Sequence, residues 1–179
     1  LFMTCGCAPA LVSVAHALTA SPEDEFIAIA PFFPEYNVFF TCAGAKLAVV
    51  PADTVHFQID MDALEKTINE HSVAVVINSP NNPSGVVYTE ETLKKIAELL
   101  ERKSKEYGHP IYIVADEPYR ELVYVDKEIV FIPDLYDNTI IAYSWSKSLS
   151  IPGDRLGYLA VSPKSDNVEE FMAAATVAN

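Results

Sequence analysis

Short apolar runs recur along the chain and are separated by polar or turn-forming segments. Most of these runs are continuous rather than alternating, which is typical of strands that are buried on both faces of a parallel sheet. The runs that predict strands cover residues 26–30, 46–50, 73–77, 111–115, 139–143 and 156–161.

Helical patterns fall between several of these runs. Apolar residues at 61, 64 and 68 share one face of a helix that follows Asp60, a residue type favoured at the helix N-cap. A second pattern over 93–100 follows Thr89, with Glu90 and Glu91 in the first turn, where the helix dipole favours negative charge. The alternation of strands and helices predicts an α/β fold with a mainly parallel sheet.

Charge and cysteine content exclude several classes of function. The 179 residues include 12 Lys and Arg against 25 Asp and Glu, which gives a net charge of −13. Such a surface repels phosphate backbones and anionic lipids, so we expect no nucleic-acid partner and no membrane partner. The three cysteines, Cys5, Cys7 and Cys42, are odd in number and lack metal-like spacing. With no visible signal peptide, they predict free thiols, a cytoplasmic location and no metal site.

Residues that can carry chemistry follow the apolar start of the chain and four of the predicted strands. In α/β sheets ligands bind at the carboxyl ends of the strands, so these residues are expected to share one site. The five segments are Thr4-Cys5-Gly6-Cys7-Ala8, Pro31-Phe32-Phe33-Pro34, Asn78 to Gly85, Asp116-Glu117-Pro118-Tyr119 and Ser144-Trp145-Ser146-Lys147, and Arg155 stands eight residues after Lys147.

Three motifs give the chain a resemblance to a known family. The stretches "NSPNNPSG", "ADEPY" and "SWSKSLSIPGDRLGY" occur in that order. With them the chain resembles the fold-type I pyridoxal-phosphate enzymes, in the class I/II (aspartate aminotransferase-like) branch, over nearly its whole length. The resemblance implies the three-layer α/β/α large domain of that fold and pyridoxal 5′-phosphate as cofactor. It also implies transfer of an amino group between an L-amino acid and a 2-oxo acid.

The resemblance assigns roles to individual residues. Lys147 matches the lysine that forms a Schiff base with the cofactor, and Asp116 matches the aspartate that pairs with the pyridine nitrogen. Asn82 and Tyr119 match the residues that hydrogen-bond the ring phenolate, and Phe33 matches the stacked aromatic residue. The catalytic residues are thus Lys147, Asp116 and Tyr119, and the phosphate-binding residues are Gly6, Cys7, Ala8, Ser144, Ser146 and Arg155.

This chemistry needs these residue types for independent reasons. A lysine that is buried beside a cationic ring is pushed toward its neutral, nucleophilic form. An aspartate opposite the pyridine nitrogen keeps that nitrogen protonated, so that the ring can accept electrons. A helix N-terminus, hydroxyl groups and an arginine suit a phosphate dianion.

The chain departs from the family pattern in two respects. Trp145 is larger than the usual residue in the lysine motif, so we expect it to narrow the room near the phosphate. The N-terminal arm and the small domain of the family, which supply an arginine for the substrate carboxylate, lie outside these 179 residues. We therefore predict that residues 1–165 are the cofactor-binding large domain, truncated at the N-terminus. Residues 166–179 then begin the helix that leads to the small domain.

The resemblance also implies a homodimer, because family active sites take residues from both subunits. Two alternatives to an aminotransferase remain open. A carbon–sulfur β-lyase uses the same fold and cofactor, and an aminotransferase-like sensor domain binds the cofactor without catalysis. The sequence does not name the amino-acid substrate.

Overall fold

A seven-stranded sheet forms the centre of the protein. The computed structural model describes residues 1–124, 126 and 129–179. The strands of this described part lie in the order β1-β7-β6-β5-β4-β2-β3. Their bounds are β1 (Phe2–Thr4), β2 (Glu25–Ile29), β3 (Lys46–Val50), β4 (Ser72–Asn78), β5 (Tyr112–Asp116), β6 (Thr139–Ser144) and β7 (Gly157–Val161). Each of the six predicted strands is present, with ends within one residue of the prediction.

The described part of the chain contains six α-helices, five of them between strands and the sixth after β7. Their bounds are α1 (Cys7–Leu18), α2 (Glu35–Cys42), α3 (Met61–Thr67), α4 (Glu90–Tyr107), α5 (Trp145–Ser148) and α6 (Val168–Ala178). The two predicted N-caps are confirmed, because the Asp60 side chain accepts a hydrogen bond from the Ala63 amide (3.0 Å) and Thr89 accepts one from Thr92 (3.1 Å). α4 ends at Gly108, whose φ of 77° is the left-handed conformation that glycine tolerates best.

Helices cover both faces of the sheet and give three layers. On one face Ile27, Val75 and Ile113 pack in a cluster with residues of α3 and α4 such as Leu64 and Ile96. The residues that alternate with them along the strands, including Phe26, Ala74 and Val114, pack on the opposite face. There they meet the buried side chains of α1, α2 and α6, namely Leu11, Val14, Tyr36, Phe40 and Phe171. The predicted three-layer α/β/α fold is therefore confirmed.

The edge strand β3 differs from the expectation that every strand is buried on both faces. It pairs only with β2 among the described strands, and Val49 in it is 44% exposed. An edge strand has a neighbour on one side only, and a continuous apolar run does not distinguish it from a central strand.

Strand direction decides which residues meet at the functional edge. The pairs β2–β3, β2–β4, β4–β5 and β5–β6 are parallel, whereas β7 is antiparallel to both β1 and β6. The carboxyl ends of β1, β2, β4, β5 and β6 therefore lie on one edge, where β7 begins. Thr4 and Ser144 each pair with Gly157 in this arrangement.

Among the helices that the structure describes, none combines the length and apolar character needed to cross a membrane. The described residues also contain no cluster of three or more His, Cys, Asp or Glu side chains suited to a metal ion.

Candidate active site

A cavity of ≈ 360 Å³ opens at the edge of the sheet where β1, β2, β4, β5 and β6 end. Every predicted site residue except Gly6 lines it, and Gly6 directly precedes the lining residue Cys7. The lining residues are Cys7, Ala8, Leu11, Phe33, Asn82, Asp116, Pro118, Tyr119, Ser144, Ser146, Lys147, Pro152 and Arg155. Larger clefts of ≈ 490 and ≈ 570 Å³ lie elsewhere, but neither contains any of the predicted site residues.

The start of α1 is packed tightly against the start of β7. Gly6 has a φ of 108°, and a Cβ atom there would lie 2.8 Å from Nη2 of Arg155. A Cβ atom on Gly157 would lie 2.5 Å from the carbonyl oxygen of Tyr143 and 2.8 Å from Cα of Gly6. Gly157 is therefore required by the close approach of backbone, and Gly6 by its positive φ; the contact between them brings the amino end of α1 beside the guanidinium of Arg155.

This corner of the pocket offers several hydrogen-bond donors. No side chain caps the first turn of α1 in the described structure, so backbone N–H groups there remain available. Ser144 is buried and Ser146 is half-buried, and neither hydroxyl has a hydrogen-bond partner among the described residues. Free N–H and O–H donors beside a cation are the usual surroundings of a bound anion.

Arg155 is held by backbone rather than by an acidic side chain. Nη1 donates to the carbonyl of Pro152 (2.9 Å) and Nη2 donates to the carbonyl of Cys5 (3.0 Å). Within the part of the chain that is described, Arg155 forms no salt bridge with a carboxylate. Its positive charge is therefore fixed in place and not neutralised by a carboxylate of the described residues.

Asp116 is the buried acid of the pocket and is 5% exposed. Sγ of Cys7 donates to its Oδ1 atom (2.9 Å), and the hydroxyl of Tyr36 donates to its Oδ2 atom. Burial raises the pKa of Asp116, whereas the hydrogen bonds from Cys7 and Tyr36 act in the opposite direction and lower it. Burial, followed by the nearby Asp116 carboxylate, raises the pKa of both Cys7 and Tyr36, which therefore stay protonated as donors.

Lys147 lies at the mouth of the pocket. Its Nζ atom is 5.9 Å from the centre of the Tyr119 ring. The side chain is exposed in this structure. Lys147 also forms no salt bridge with the described acidic residues, so its amine is free for chemistry.

The three asparagines of the stretch "NSPNNPSG" have two roles. Asn78 and Asn81 form structural hydrogen bonds, and Asn82 lines the pocket. Asn78 donates from Nδ2 to the backbone carbonyl of Asp116 (2.8 Å) and accepts from the amide of Asn82 (2.6 Å), which ties β4 to β5. Asn81 closes the turn by accepting hydrogen bonds from Ser84. The Asn82 side chain lines the pocket and has no hydrogen-bond partner among the described residues.

Comparison with known proteins identifies the family. The sequence profile of the family described as aminotransferase class I and II matches residues 2–177. The chain belongs to this family. It is 40% identical over 145 residues to aspartate aminotransferase of Bacillus subtilis (strain 168), a match that covers 78% of this chain and 35% of that protein. A probable N-acetyl-LL-diaminopimelate aminotransferase of the same organism is 33% identical over 89% of this chain and 39% of its own length.

Solved structures of aminotransferases have the same fold. A crystal structure of an amino transferase from Eubacterium rectale superimposes with a TM-score of 0.97 at 57% identity. The match covers 99% of this chain and 44% of that chain. This aminotransferase-family chain therefore spans less than half the length of the relatives named here.

Two aromatic residues of this family member differ from the sequence-based expectations. Trp145 does not line the pocket of the described structure, so the expectation that it narrows the phosphate region is wrong. Its ring packs edge-on against Tyr143 (5.4 Å between centroids) and against Tyr158 (5.5 Å), because α5 turns it toward the α3 and α4 face of the sheet. Tyr36, which contacts Asp116, was not predicted as a site residue. No local signal in the sequence points to Tyr36, because its contact with Asp116 joins residues that are 80 positions apart.

Proposed function

We propose that this chain is the cofactor-binding large domain of an aminotransferase that uses pyridoxal 5′-phosphate. The reaction proposed for the whole protein is transfer of an amino group between an L-amino acid and a 2-oxo acid. The observation that carries this proposal is one pocket that contains an exposed lysine, a buried aspartate and an uncapped helix start beside an arginine. The names of the relatives, aspartate aminotransferase and N-acetyl-LL-diaminopimelate aminotransferase, support the same class of reaction.

The chemistry of the donors in the pocket fits the cofactor. A guanidinium, two free hydroxyls and helix N–H groups suit a phosphate dianion. A buried carboxylate suits a protonated ring nitrogen, and a primary amine suits an aldehyde. The cavity volume of ≈ 360 Å³ lies within the usual range of small-molecule pockets.

Each proposed binding residue has a distinct part in holding the cofactor. Phe33 offers an aromatic face to the ring, and Asn82 and Tyr119 offer hydrogen-bond donors to the ring oxygen. Asp116 offers the negative charge for the ring nitrogen. The proposed phosphate-binding residues are Gly6, Cys7, Ala8, Ser144, Ser146 and Arg155.

Catalysis requires a group that moves a proton. The cofactor, when bound, supplies an electron sink for the charge left at the α-carbon of the amino acid. Nζ of Lys147, in its unprotonated form, can take the proton from the α-carbon of the amino acid and deliver it to a carbon of the cofactor. The Asp116 carboxylate holds a proton at the ring nitrogen, and its burial from water strengthens that interaction. Lys147, Asp116 and Tyr119 are the proposed catalytic residues.

The domain organisation follows from the same proposal. Residues 1–165 form the large domain, and residues 166–179 begin the helix toward a second, smaller domain. The length of the relatives, of which this chain spans 35–44%, supports this division. We further propose that the whole protein acts as a homodimer in the cytoplasm, in accordance with its three free cysteines.

The proposed reaction is tested by whether it depends on a 2-oxo acid that accepts the amino group. We expect the full-length protein that contains this chain to make a 2-oxo acid from at least one amino acid of a panel that includes aspartate, and only when 2-oxoglutarate is supplied. We expect the 179-residue chain alone to bind the cofactor but to turn over negligibly. A β-lyase would instead release pyruvate from a cysteine thioether without any acceptor. Cofactor binding with neither amino transfer nor pyruvate release would indicate a non-catalytic domain. Pyruvate release without an acceptor, or cofactor binding without turnover, would contradict the proposed reaction.

Arg155→Ala is expected to weaken binding of pyridoxal 5′-phosphate by about tenfold or more. The substitution removes a charge-assisted hydrogen-bond donor from the proposed phosphate site, and such a contact contributes enough free energy for that change. Equilibrium dialysis of the cofactor-free protein measures the dissociation constant. Arg102→Ala, which removes an exposed arginine that pairs with Glu65 elsewhere, is the matched control and should leave cofactor binding unchanged. Equal affinity in the Arg155 and Arg102 variants would place the phosphate elsewhere.

A further inference from the structure

The carboxylate of Asp116 is held from two separate helices. Cys7 is the first residue of α1, and its thiol donates to Oδ1 at 2.9 Å. Tyr36 lies in α2, and its hydroxyl donates to Oδ2. Each carboxylate oxygen thus has its own donor, which fixes the rotation of the side chain at the end of β5.

Tyr36 is itself immobilised by its neighbours. The side chain is 1% exposed, and its ring stacks on Phe32 at 6.2 Å between centroids. The ring also meets Phe33 edge-on at 5.8 Å and contacts Phe40 at 6.1 Å. The hydroxyl is therefore delivered to Asp116 by a packed aromatic cluster, and the same cluster contains Phe33 of the pocket.

Two donors on one carboxylate favour its ionised form. Asp116 is 5% exposed, and burial of that kind favours the neutral acid. Hydrogen bonds to the charged form counteract this effect. The other titratable or charged groups that face this region are Glu117 and Tyr119, which follow β5, Lys147 on α5, and Arg155. Glu117 is itself an acid and pairs with Arg120, so it does not replace the hydrogen bonds that Cys7 and Tyr36 donate to Asp116.

We propose that Cys7 and Tyr36 are positioning residues that keep Asp116 ionised and oriented toward the pocket. This inference rests on the proposed function only for the identity of the group that Asp116 faces, the ring nitrogen of the cofactor. Tyr36 carries most of the effect, because a thiol is a weaker hydrogen-bond donor than a phenol. Cys7 contributes a hydrogen bond from its side chain to Asp116, and this role is separate from that of the backbone N–H groups at the start of α1.

The first test measures the proton affinity of Asp116 without the cofactor. The Cγ signal of Asp116 is followed by ¹³C NMR as a function of pH in the cofactor-free protein, and Asp116→Asn assigns it by removing it. Tyr36→Phe keeps the ring and removes only the donor, so the titration midpoint should move to higher pH. Tyr112→Phe is the matched control, because Tyr112 is also buried and its hydroxyl donates to the carbonyl of Asp166 (3.0 Å). This control should leave the midpoint unchanged.

The Cys7 variants provide an independent measurement if Tyr36→Phe does not fold. Cys7→Ala should raise the midpoint by less than Tyr36→Phe does, and Cys7→Ser should restore it because a hydroxyl is also a donor. An unchanged midpoint in both Tyr36→Phe and Cys7→Ala, or in Cys7→Ala alone where Tyr36→Phe does not fold, would overturn the proposal.

The second test asks whether Tyr36 acts through Asp116. Tyr36→Phe should weaken pyridoxal 5′-phosphate binding about three- to tenfold, the range of one lost hydrogen bond. In an Asp116→Asn background the same substitution should have no further effect, because the charge that it supports is absent. An equal loss in both backgrounds would overturn the proposal. Failure of the unsubstituted protein to bind the cofactor would instead contradict the proposed function, and the NMR midpoints would still decide the role of Cys7 and Tyr36.

Discussion

Lys147→Ala is expected to lower the rate of amino transfer in the full-length protein by at least about 10³-fold. The substitution removes the amine that both attaches the cofactor and moves the α-proton, and each of these contributions is large. Lys147 lines the pocket and lies near Tyr119, and no acidic side chain of the described chain neutralises it. The measurement is the steady-state rate with saturating amino acid and 2-oxo acid.

Two variants separate the chemistry of Lys147 from its charge. Lys147→Arg keeps the positive charge, but a guanidinium does not deprotonate in proteins, so this variant should be as inactive as Lys147→Ala. Lys164→Ala removes an exposed lysine near Asp137 and should retain full activity. Substantial activity in Lys147→Arg would mean that Lys147 contributes only its charge.

Asp116→Asn is expected to slow the conversion of bound pyridoxal phosphate to pyridoxamine phosphate by about 10²-fold or more, which corresponds to a barrier roughly 3 kcal/mol higher. The amide fits the same space, and Tyr36 can rotate its hydroxyl to accept instead of donate. The negative charge opposite the ring nitrogen is lost, so the nitrogen loses its proton more easily and accepts electrons less well. A single-turnover absorbance measurement with an amino acid follows this half-reaction.

Glu117→Gln is the matched control for Asp116→Asn. Glu117 is also buried and adjacent in sequence, but it pairs with Arg120 (3.2 Å) and does not line the pocket. Burial raises the pKa of Glu117 to about 6, so Glu117 is ionised in an assay near pH 8 and its substitution also removes a buried negative charge. Conversion at the rate of the unsubstituted protein in Asp116→Asn, or equal slowing in both variants, would remove Asp116 from its proposed role.

The strands β2 to β7 and the helices α3 and α4 could be predicted because their signals are local. The continuous apolar runs match β2 to β7, and Asp60 and Thr89 cap α3 and α4 with their own side chains. Short-range sequence patterns are sufficient for such elements, since a buried strand needs only a run of apolar residues and an N-cap acts within three residues.

The helix α2 was not predicted because it has neither an N-cap side chain nor a clear amphipathic pattern. Its N-cap is Pro34, which forms no side-chain cap, and its apolar residues occur on more than one face. Val38 is 53% exposed whereas Phe40 is fully buried. The amphipathic pattern that identifies a surface helix is therefore weak.

The contacts of Asp116 depend on the tertiary fold. Cys7 lies 109 residues away along the chain and Tyr36 lies 80 residues away. No local pattern joins residues at such separations, and the sheet brings them together through the common edge of β1, β2 and β5. Arg155 reaches that edge because β7 runs antiparallel, whereas the sequence supplied only its spacing from Lys147.

The central claim, that this pocket holds pyridoxal 5′-phosphate on Lys147, is tested most directly by trapping the attachment. The protein is incubated with the cofactor, reduced with borohydride and digested, and the modified peptide is identified by mass spectrometry. We predict a single major label on Lys147, absent in Lys147→Ala. A label on Lys46, Lys94 or Lys164 instead, or the same labelling in Lys147→Ala, would contradict the account.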